Sequence, residues 1–140
     1  SAIARKLDIS RDSVYYYLYN LQKARILNFA NASGKGISTL QKPDKIFLEN
    51  TNLNFALKEN PDKGNLRETF FMNQLYNAGY EIQLPSTGDF IVDKKYLFEV
   101  GGKSKDGSQL KKIKNSFIAS DDIETGFGNK IPLWLFGFLY

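Results

Sequence analysis

Apolar residues recur at helical spacing in the first part of the chain. In the stretch RDSVYYYLYNLQKARIL, Val14, Leu18 and Leu21 lie three or four positions apart, and Ser10 directly before it is a natural N-cap. The preceding stretch AIARKL has the apolar spacing expected at the end of a shorter helix. Two helices joined by a tight turn at residues 8–9 form a helix-turn-helix pattern.

A hairpin is predicted after the second helix. Short apolar runs near residues 26–29 and 45–49 predict two strands, and the turn-rich stretch NASGKGIS separates them. Helix, helix and hairpin in this order are typical of a winged helix, and we assign residues 1–58 to a partial winged helix. The first helix of a complete one would lie before Ser1, so we expect the chain to be a fragment of a longer protein.

The polar segment ENPDKGN separates this part from a differently patterned one, residues 59–140. A helix with Gly79 as its C-cap is predicted there from an apolar stripe: Leu66, Phe70, Phe71, Leu75 and Tyr76. It is followed by the strand YEIQL, a hairpin, a short basic helix SQLKKIKN, the strand SFIAS and the apolar end IPLWLFGFLY. This order predicts an α/β or α+β domain built in layers.

The hairpin GDFIVDKKYLFEVGGKSK carries two carboxylates, and its turn length decides where they lie. With a three-residue turn at 93–95, Val92 pairs with Tyr96 and Asp89 lies opposite Glu99. The same turn gives one coherent apolar face: Phe90, Val92, Tyr96, Phe98 and Val100. The carboxylates then lie about 5 Å apart at Cβ, close enough to share a divalent cation. A two-residue turn would place them on opposite faces and exclude a shared ion.

Composition narrows the chemistry of such a site. The chain of 140 residues contains no cysteine and no histidine, which excludes disulfides, thiolate zinc sites and the commonest general base. A metal ion bound by carboxylates alone would be Mg²⁺ or Mn²⁺. The glycine clusters lack the spacing of a phosphate-binding loop, so we expect no ATP site within these residues.

An Asp at the start of one strand, followed on the next strand by Glu-x-Lys, resembles the core motif of the PD-(D/E)XK nucleases. In that family a preceding helix contributes another glutamate. Asp89, Glu99 and Glu68 match these acidic positions, whereas Gly101 stands where the lysine would be. Lys103 falls on the same strand face if the strand continues through the glycines. The resemblance implies a mixed sheet, a catalytic set of Asp89, Glu99, Lys103 and Glu68, and Mg²⁺ or Mn²⁺ on Asp89 and Glu99.

Each acidic residue also has a structural interpretation. Glu68 stands three positions after an asparagine, which is the spacing of a capping box. Asp89 follows a glycine and is typical of a turn residue that bonds to its own backbone. Glu99 lies between apolar residues, where a salt bridge to Lys103 or Lys105 is the alternative to a metal ion. The sequence leaves open whether such a site is active or degenerate.

The excess positive charge lies in the first part of the chain. Residues 1–60 hold nine lysines and arginines against five acidic residues, whereas residues 61–140 hold ten of each. Such an excess favours a nucleic-acid surface. The residues expected at duplex DNA lie on the second helix and in the wing: Arg11, Tyr15, Tyr16, Lys23, Lys35 and Lys42. The alternative is that the tyrosines of this helix pack against a neighbouring domain.

Four segments in order resemble the C-terminal region of a bacterial and archaeal family of AAA-type ATPases: LDISRDSVYYYLYNLQKARIL, KPDKIFLENTNLNFAL, LRETFFMNQL and GDFIVDKKYLFEVGGKSK. In that family a P-loop ATPase module precedes a winged helix and a domain with a restriction-endonuclease-like fold. The resemblance implies that the ATPase module, with its ATP, lies outside these residues.

We therefore expect a module that recognises duplex DNA or a partner protein, coupled to that ATPase module and carrying a degenerate nuclease-like domain. The alternatives are an active Mg²⁺-dependent nuclease and a module for homo-oligomerisation or protein binding, which would use the tyrosine-rich helix and the apolar end. The sequence shows neither an apolar run long enough to span a bilayer nor a secretory signal at residues 1–7, so cytoplasmic is the default expectation.

Overall fold

A computed structural model of the chain describes residues 2–34, 42–110 and 112–140. Helices and two sheets make up the described parts, and the larger sheet contains both parallel and antiparallel strands. This architecture confirms the predicted mixed α and β class. In these ranges no helix is both long enough and apolar enough to cross a membrane.

The chain begins with two helices, α1 (Ala2–Leu7) and α2 (Arg11–Lys23). Asp8 between them has φ +51°, a left-handed conformation that turns the chain within a few residues. The Ser10 hydroxyl accepts a hydrogen bond from the Ser13 amide at 3.0 Å. The predicted tight turn and the predicted N-cap are both confirmed.

Two antiparallel strands follow, β1 (Leu27–Ala30) and β2 (Lys45–Leu48), and confirm the predicted hairpin. The apolar stripe of α2 is only partly covered, because Val14 is buried whereas Leu21 is exposed. Leu21, a member of the apolar spacing that predicts this helix, therefore lies outside the core. Within the described residues, one side of α2 is thus exposed to solvent.

Helix α3 (Thr51–Leu57) directly follows β2 and is not among the elements predicted from the pattern. The Asn50 side chain forms its N-cap by accepting hydrogen bonds from the amides of Asn52 and Leu53. A helix of seven residues is too short for hydrophobic spacing to distinguish it from a loop.

Helix α4 (Lys63–Asn77) is the predicted helix of the second part. The Asp62 carboxylate accepts a hydrogen bond from the Asn65 amide at 2.8 Å and forms the N-cap. The capping-box interpretation of Glu68 is therefore wrong, since Asn65 lies inside the helix rather than at its cap. At the other end, Gly79 has φ +85°, as the predicted glycine C-cap requires.

Five strands form one mixed sheet in the spatial order β3-β4-β5-β6-β7. Their bounds are β3 (Ile82–Gln83), β4 (Phe90–Val92), β5 (Tyr96–Gly101), β6 (Ser116–Ser120) and β7 (Lys130–Pro132). Strands β3 to β5 are antiparallel neighbours, whereas β5, β6 and β7 run parallel. The carboxyl ends of these parallel strands meet at one edge, which is where open α/β sheets bind ligands.

The segment between β5 and β6 differs from the prediction. The expected basic helix SQLKKIKN is one 3₁₀ turn, Ser108–Leu110, among the described residues. Gly107 before it has φ +61°, and the amides of Leu110 and Ile113 bond carbonyls three residues back. These tight turns leave no room for an α-helix. A second 3₁₀ helix, Leu133–Phe138, forms most of the apolar end.

Helix α4 packs on one face of the five-stranded sheet, with Phe71, Met72 and Leu75 in the core. The same core includes Ala30 and Phe47 from the hairpin of the first part. The Phe47 ring lies 5.7 Å from the Phe90 ring, and a bridge pairs Ala32 with Leu84 beyond the end of β3. One core thus spans both sides of the predicted boundary at residues 58 and 59. The division into two separate domains at this boundary stays a prediction.

Candidate functional site

The hairpin of β4 and β5 has the register that the three-residue turn predicts. Val92 pairs with Tyr96 and Phe90 pairs with Phe98. Asp93 and Lys94 in the turn have φ near +50° and +56°. A side-chain hydrogen bond to Tyr96 raises the pKa of Lys95, in the same turn, above its ordinary value.

The two faces of the hairpin are also as predicted. One face lies in the core under α4 and includes Phe90, Val92, Phe98 and Val100, with Tyr96 packed against it. The other face carries Leu97, which is buried with Leu110 and Ile118. Glu99 belongs to this second face by alternation along β5 and by its parallel pairing with Ile118.

Asp89 lies at the start of β4, next to the carboxyl end of β5. Its amide donates to the Phe98 carbonyl at 2.9 Å, and its Oδ2 accepts from the Val100 amide at 2.7 Å. The Lys105 ammonium lies 3.4 Å from the same oxygen. The Asp89 carboxylate therefore bonds the backbone of the neighbouring strand, whereas the turn interpretation predicts a bond to the backbone of its own turn, and it also holds a cation at the edge of the sheet.

Glu99 is buried, with 3% of its surface exposed. Among the described residues, no hydrogen bond or ion pair to its carboxylate is formed. Glu99 is thus the acidic residue of the hairpin that is buried without a direct side-chain partner among the described residues.

Lys105, rather than Lys103, takes the position over Gly101. A Cβ on Gly101 would lie 2.7 Å from Lys105 Cδ, so the lysine stem occupies the space that a side chain at position 101 would fill. The prediction for Lys103 required β5 to continue through the glycines, but β5 ends at Gly101. Lys103 lies beyond the strand and is exposed. The sequence named Lys105 only as a salt-bridge alternative for Glu99.

A second cation lies over the neighbouring glycine. The Arg67 guanidinium would be 3.1 to 3.3 Å from a Cβ on Gly102. Its Nε donates to Asp121 at 2.9 Å and its Nη2 donates to Asp122 at 3.0 Å. The two glycines at the end of β5 thus admit two cationic side chains. No sequence pattern indicated Arg67, because its partners follow β6 and lie more than fifty positions away.

Glu68, on α4 beside Arg67, is held by another partner. Its carboxylate accepts a hydrogen bond from the Lys45 ammonium of β2, and the two form an ion pair. Lys45 also lies 5.1 Å from the centre of the Phe47 ring. The structure therefore shows Glu68 as a contact between α4 and the hairpin of the first part. Its catalytic role stays a prediction with no supporting contact to Asp89.

The residues around Asp89 fit an ammonium group better than a divalent ion. Asp89 Oδ2 already accepts two hydrogen bonds, and the Lys105 ammonium repels a further cation nearby. In the described ranges, no group of three or more acidic, histidine or cysteine side chains is placed to hold a metal ion. Mg²⁺ can nevertheless be bound by only one or two carboxylates when phosphate oxygens complete its coordination shell. Metal binding by Asp89 and Glu99 therefore stays a prediction.

The residues predicted at DNA lie on an accessible surface. Arg11, Tyr16 and Lys23 on α2 are exposed, and Lys42 before β2 is exposed as well. Tyr15 is half-buried. Lys23 lies 5.3 Å from the centre of the Tyr19 ring. Lys35 lies outside the described residues.

Comparison of the chain with models of protein families, with curated protein sequences and with solved structures finds no match in any of the three.

Proposed function

We propose that this chain is a DNA-recognition module in which α1 and α2 contact the duplex and the carboxyl edge of the five-stranded sheet binds a backbone phosphate without cleaving it. The observation that carries the proposal is Lys105, which lies over Gly101 with its ammonium on Asp89. A cation at this position is the element that the nuclease-like motif otherwise lacks.

The helix-turn-helix supports the first part of the proposal. Asp8 turns the chain, Ser10 caps α2, and Arg11 therefore lies in the first turn of that helix. A helix N-terminus favours phosphate groups, and exposed arginine and tyrosine side chains bind backbone and base edges. Exposed Tyr16 and Lys23 extend the same surface.

Coupling to an ATPase module is the remaining part of the proposal. It is supported by the resemblance of four ordered segments to the C-terminal region of AAA-type ATPases. In such an arrangement, DNA bound by this module would be brought to the motor. The test is whether DNA stimulates ATP hydrolysis by a protein that contains both parts.

DNA binding can be tested through Arg11. We expect the affinity for a fluorescent 20-base-pair duplex, measured by anisotropy, to fall steeply with salt, because phosphate contacts release counterions. Arg11→Ala should weaken binding about 3- to 10-fold and lower the slope of log K against log salt by roughly 1. The matched control is Lys58→Ala, an exposed lysine after α3, which should bind like the wild type. An affinity that does not depend on salt, or equal losses in both variants, would contradict the proposal.

A second candidate function is Mg²⁺-dependent cleavage of DNA. The observation that favours it is the buried Glu99 carboxylate, which lies on the predicted metal face. We expect no plasmid nicking by the wild type with Mg²⁺ or Mn²⁺ above the level seen with Glu99→Gln. Nicking that Glu99→Gln abolishes would instead establish a nuclease.

A further inference from the structure

We infer that Lys105 is a built-in cation that takes the place of a divalent metal ion at Asp89. The inference deepens the proposed function and rests on it for the identity of the anion, a DNA phosphate. It assigns to one side chain a single positive charge at the position where a nuclease site would hold Mg²⁺. Its consequence is that phosphate binding at this edge does not depend on metal.

The space for Lys105 is created by Gly101. The Cβ, Cγ and Cδ atoms of Lys105 would lie 3.2, 3.3 and 2.7 Å from a Cβ built on Gly101. Any larger residue at position 101 would therefore collide with the lysine stem. Gly101 shares the sheet face of Glu99, since the two are separated by two positions on β5. The lysine stem therefore crosses the face that carries the buried carboxylate.

Hydrogen bonds hold the segment that carries Lys105. The Lys105 amide donates to the Gly102 carbonyl at 3.0 Å, and the Ser120 hydroxyl donates to the same carbonyl at 3.3 Å. The Asp121 amide donates to the Gly101 carbonyl at 2.7 Å. Arg67 covers Gly102 and pairs with Asp121. Arg67 thus lies against the turn that presents Lys105.

The exposure and the charges of Lys105 and Asp89 are consistent with a cation that is held by Asp89 and remains accessible to an anion. Lys105 is partly exposed, with 36% of its side-chain surface accessible, whereas Asp89 is more covered at 23%. The ammonium neutralises Asp89 and still has donors directed away from it, since an ammonium has three. A metal ion at Asp89 would have to displace this ammonium or bind next to a positive charge.

The test is a Mn²⁺ titration of the 140-residue chain without DNA. Electron paramagnetic resonance measures the concentration of free Mn²⁺ at each step of the titration. We expect Lys105→Met to bind Mn²⁺ at least about tenfold more tightly than the wild type, because a repelling charge is removed. Lys103→Met, which removes an exposed lysine two positions earlier, should bind like the wild type. Lys105→Arg keeps the charge and should also bind like the wild type.

Two further variants keep the inference falsifiable. Asp89→Asn in the Lys105→Met background should return Mn²⁺ binding to the wild-type level, and a gain that persists there would overturn the inference. If Lys105→Met does not fold, Gly101→Ala is the substitute, since its methyl group displaces the flexible lysine stem and should also tighten Mn²⁺ binding. Wild type that binds Mn²⁺ as tightly as Lys105→Met would overturn it as well.

The titration separates this inference from the proposed function. If no variant binds DNA but the Mn²⁺ affinities of the variants differ as expected, Lys105 remains the built-in cation and DNA is excluded as the partner. If DNA binding depends on salt but the variants bind Mn²⁺ equally well, the proposed function stands and the inference about Lys105 is wrong. EDTA should leave wild-type DNA affinity unchanged, whereas a large loss in EDTA would contradict the metal-free site.

Discussion

Phe71→Ala should lower the free energy of unfolding by about 3–5 kcal/mol, the range measured for large aromatic residues in protein cores. Phe71 is fully buried, and its ring centre lies 5.4 Å from that of Phe90, 5.0 Å from Phe98 and 4.8 Å from Phe136. Truncation removes these contacts and leaves a cavity between rigid rings from two strands and the 3₁₀ helix. Such a cavity cannot close by movement of one flexible side chain.

The same variant tests whether the chain folds as one unit. Urea unfolding would be followed by fluorescence of Trp134, the single tryptophan, which reports on the second part, and by circular dichroism, which reports on all helices. We expect both transitions to coincide and to shift together, because Phe47 shares the core with Phe71. Phe55→Ala, at a position 56% exposed, should have little effect. Separate transitions would show that the boundary at residues 58 and 59 divides independent units.

The parts of the fold that hydrophobic spacing specifies could be predicted from the sequence. The stripe on α4 puts Phe71 and Leu75 on its buried side, where the core needs them, whereas Tyr76 of the same predicted stripe is exposed. The alternation around the hairpin turn fixed both its register and its two faces, because a slip by one residue would place apolar side chains on the wrong face. These patterns repeat over enough residues to exclude the alternatives.

The rest depends on contacts between distant residues or on local backbone geometry. Lys105 reaches Asp89 only because β5 ends at Gly101 and the chain turns back, which no periodic pattern encodes. Lysine-rich composition predicted a helix after residue 107, but turns with hydrogen bonds over three residues formed instead. Propensity is a weak guide where tertiary contacts decide the backbone.

The sequence also gave no sign of an arginine that pairs within the first part of the chain and contacts the second part. Arg25, between α2 and β1, donates from Nε and Nη2 to Glu49 Oε1 at 3.0 and 2.5 Å. Its Nη2 also donates to Asn77 at the end of α4, at 2.5 Å. The Asn73 side chain donates to the Glu49 carbonyl at 2.7 Å. One arginine therefore connects the hairpin of the first part to the helix of the second.

We expect Arg25→Ala to lower the free energy of unfolding by about 2 kcal/mol. The Glu49 side chain is 7% exposed, so removing its partner leaves a buried carboxylate without a cation. The loss stays below that of a fully buried pair because the Arg25 side chain is 60% exposed. Arg25 has φ +56°, and alanine keeps the Cβ, so the backbone strain is similar in both proteins and does not enter the difference.

A double-mutant cycle with Glu49→Gln isolates the pair, and an exposed pair in the same chain provides its control. Lys94 and Glu81 lie 3.2 Å apart, with side chains 68% and 50% exposed. We expect a coupling of about 1–2 kcal/mol for Arg25 with Glu49, measured by urea unfolding, and below about 0.5 kcal/mol for Lys94 with Glu81. Equal couplings would mean that burial of Glu49 adds nothing.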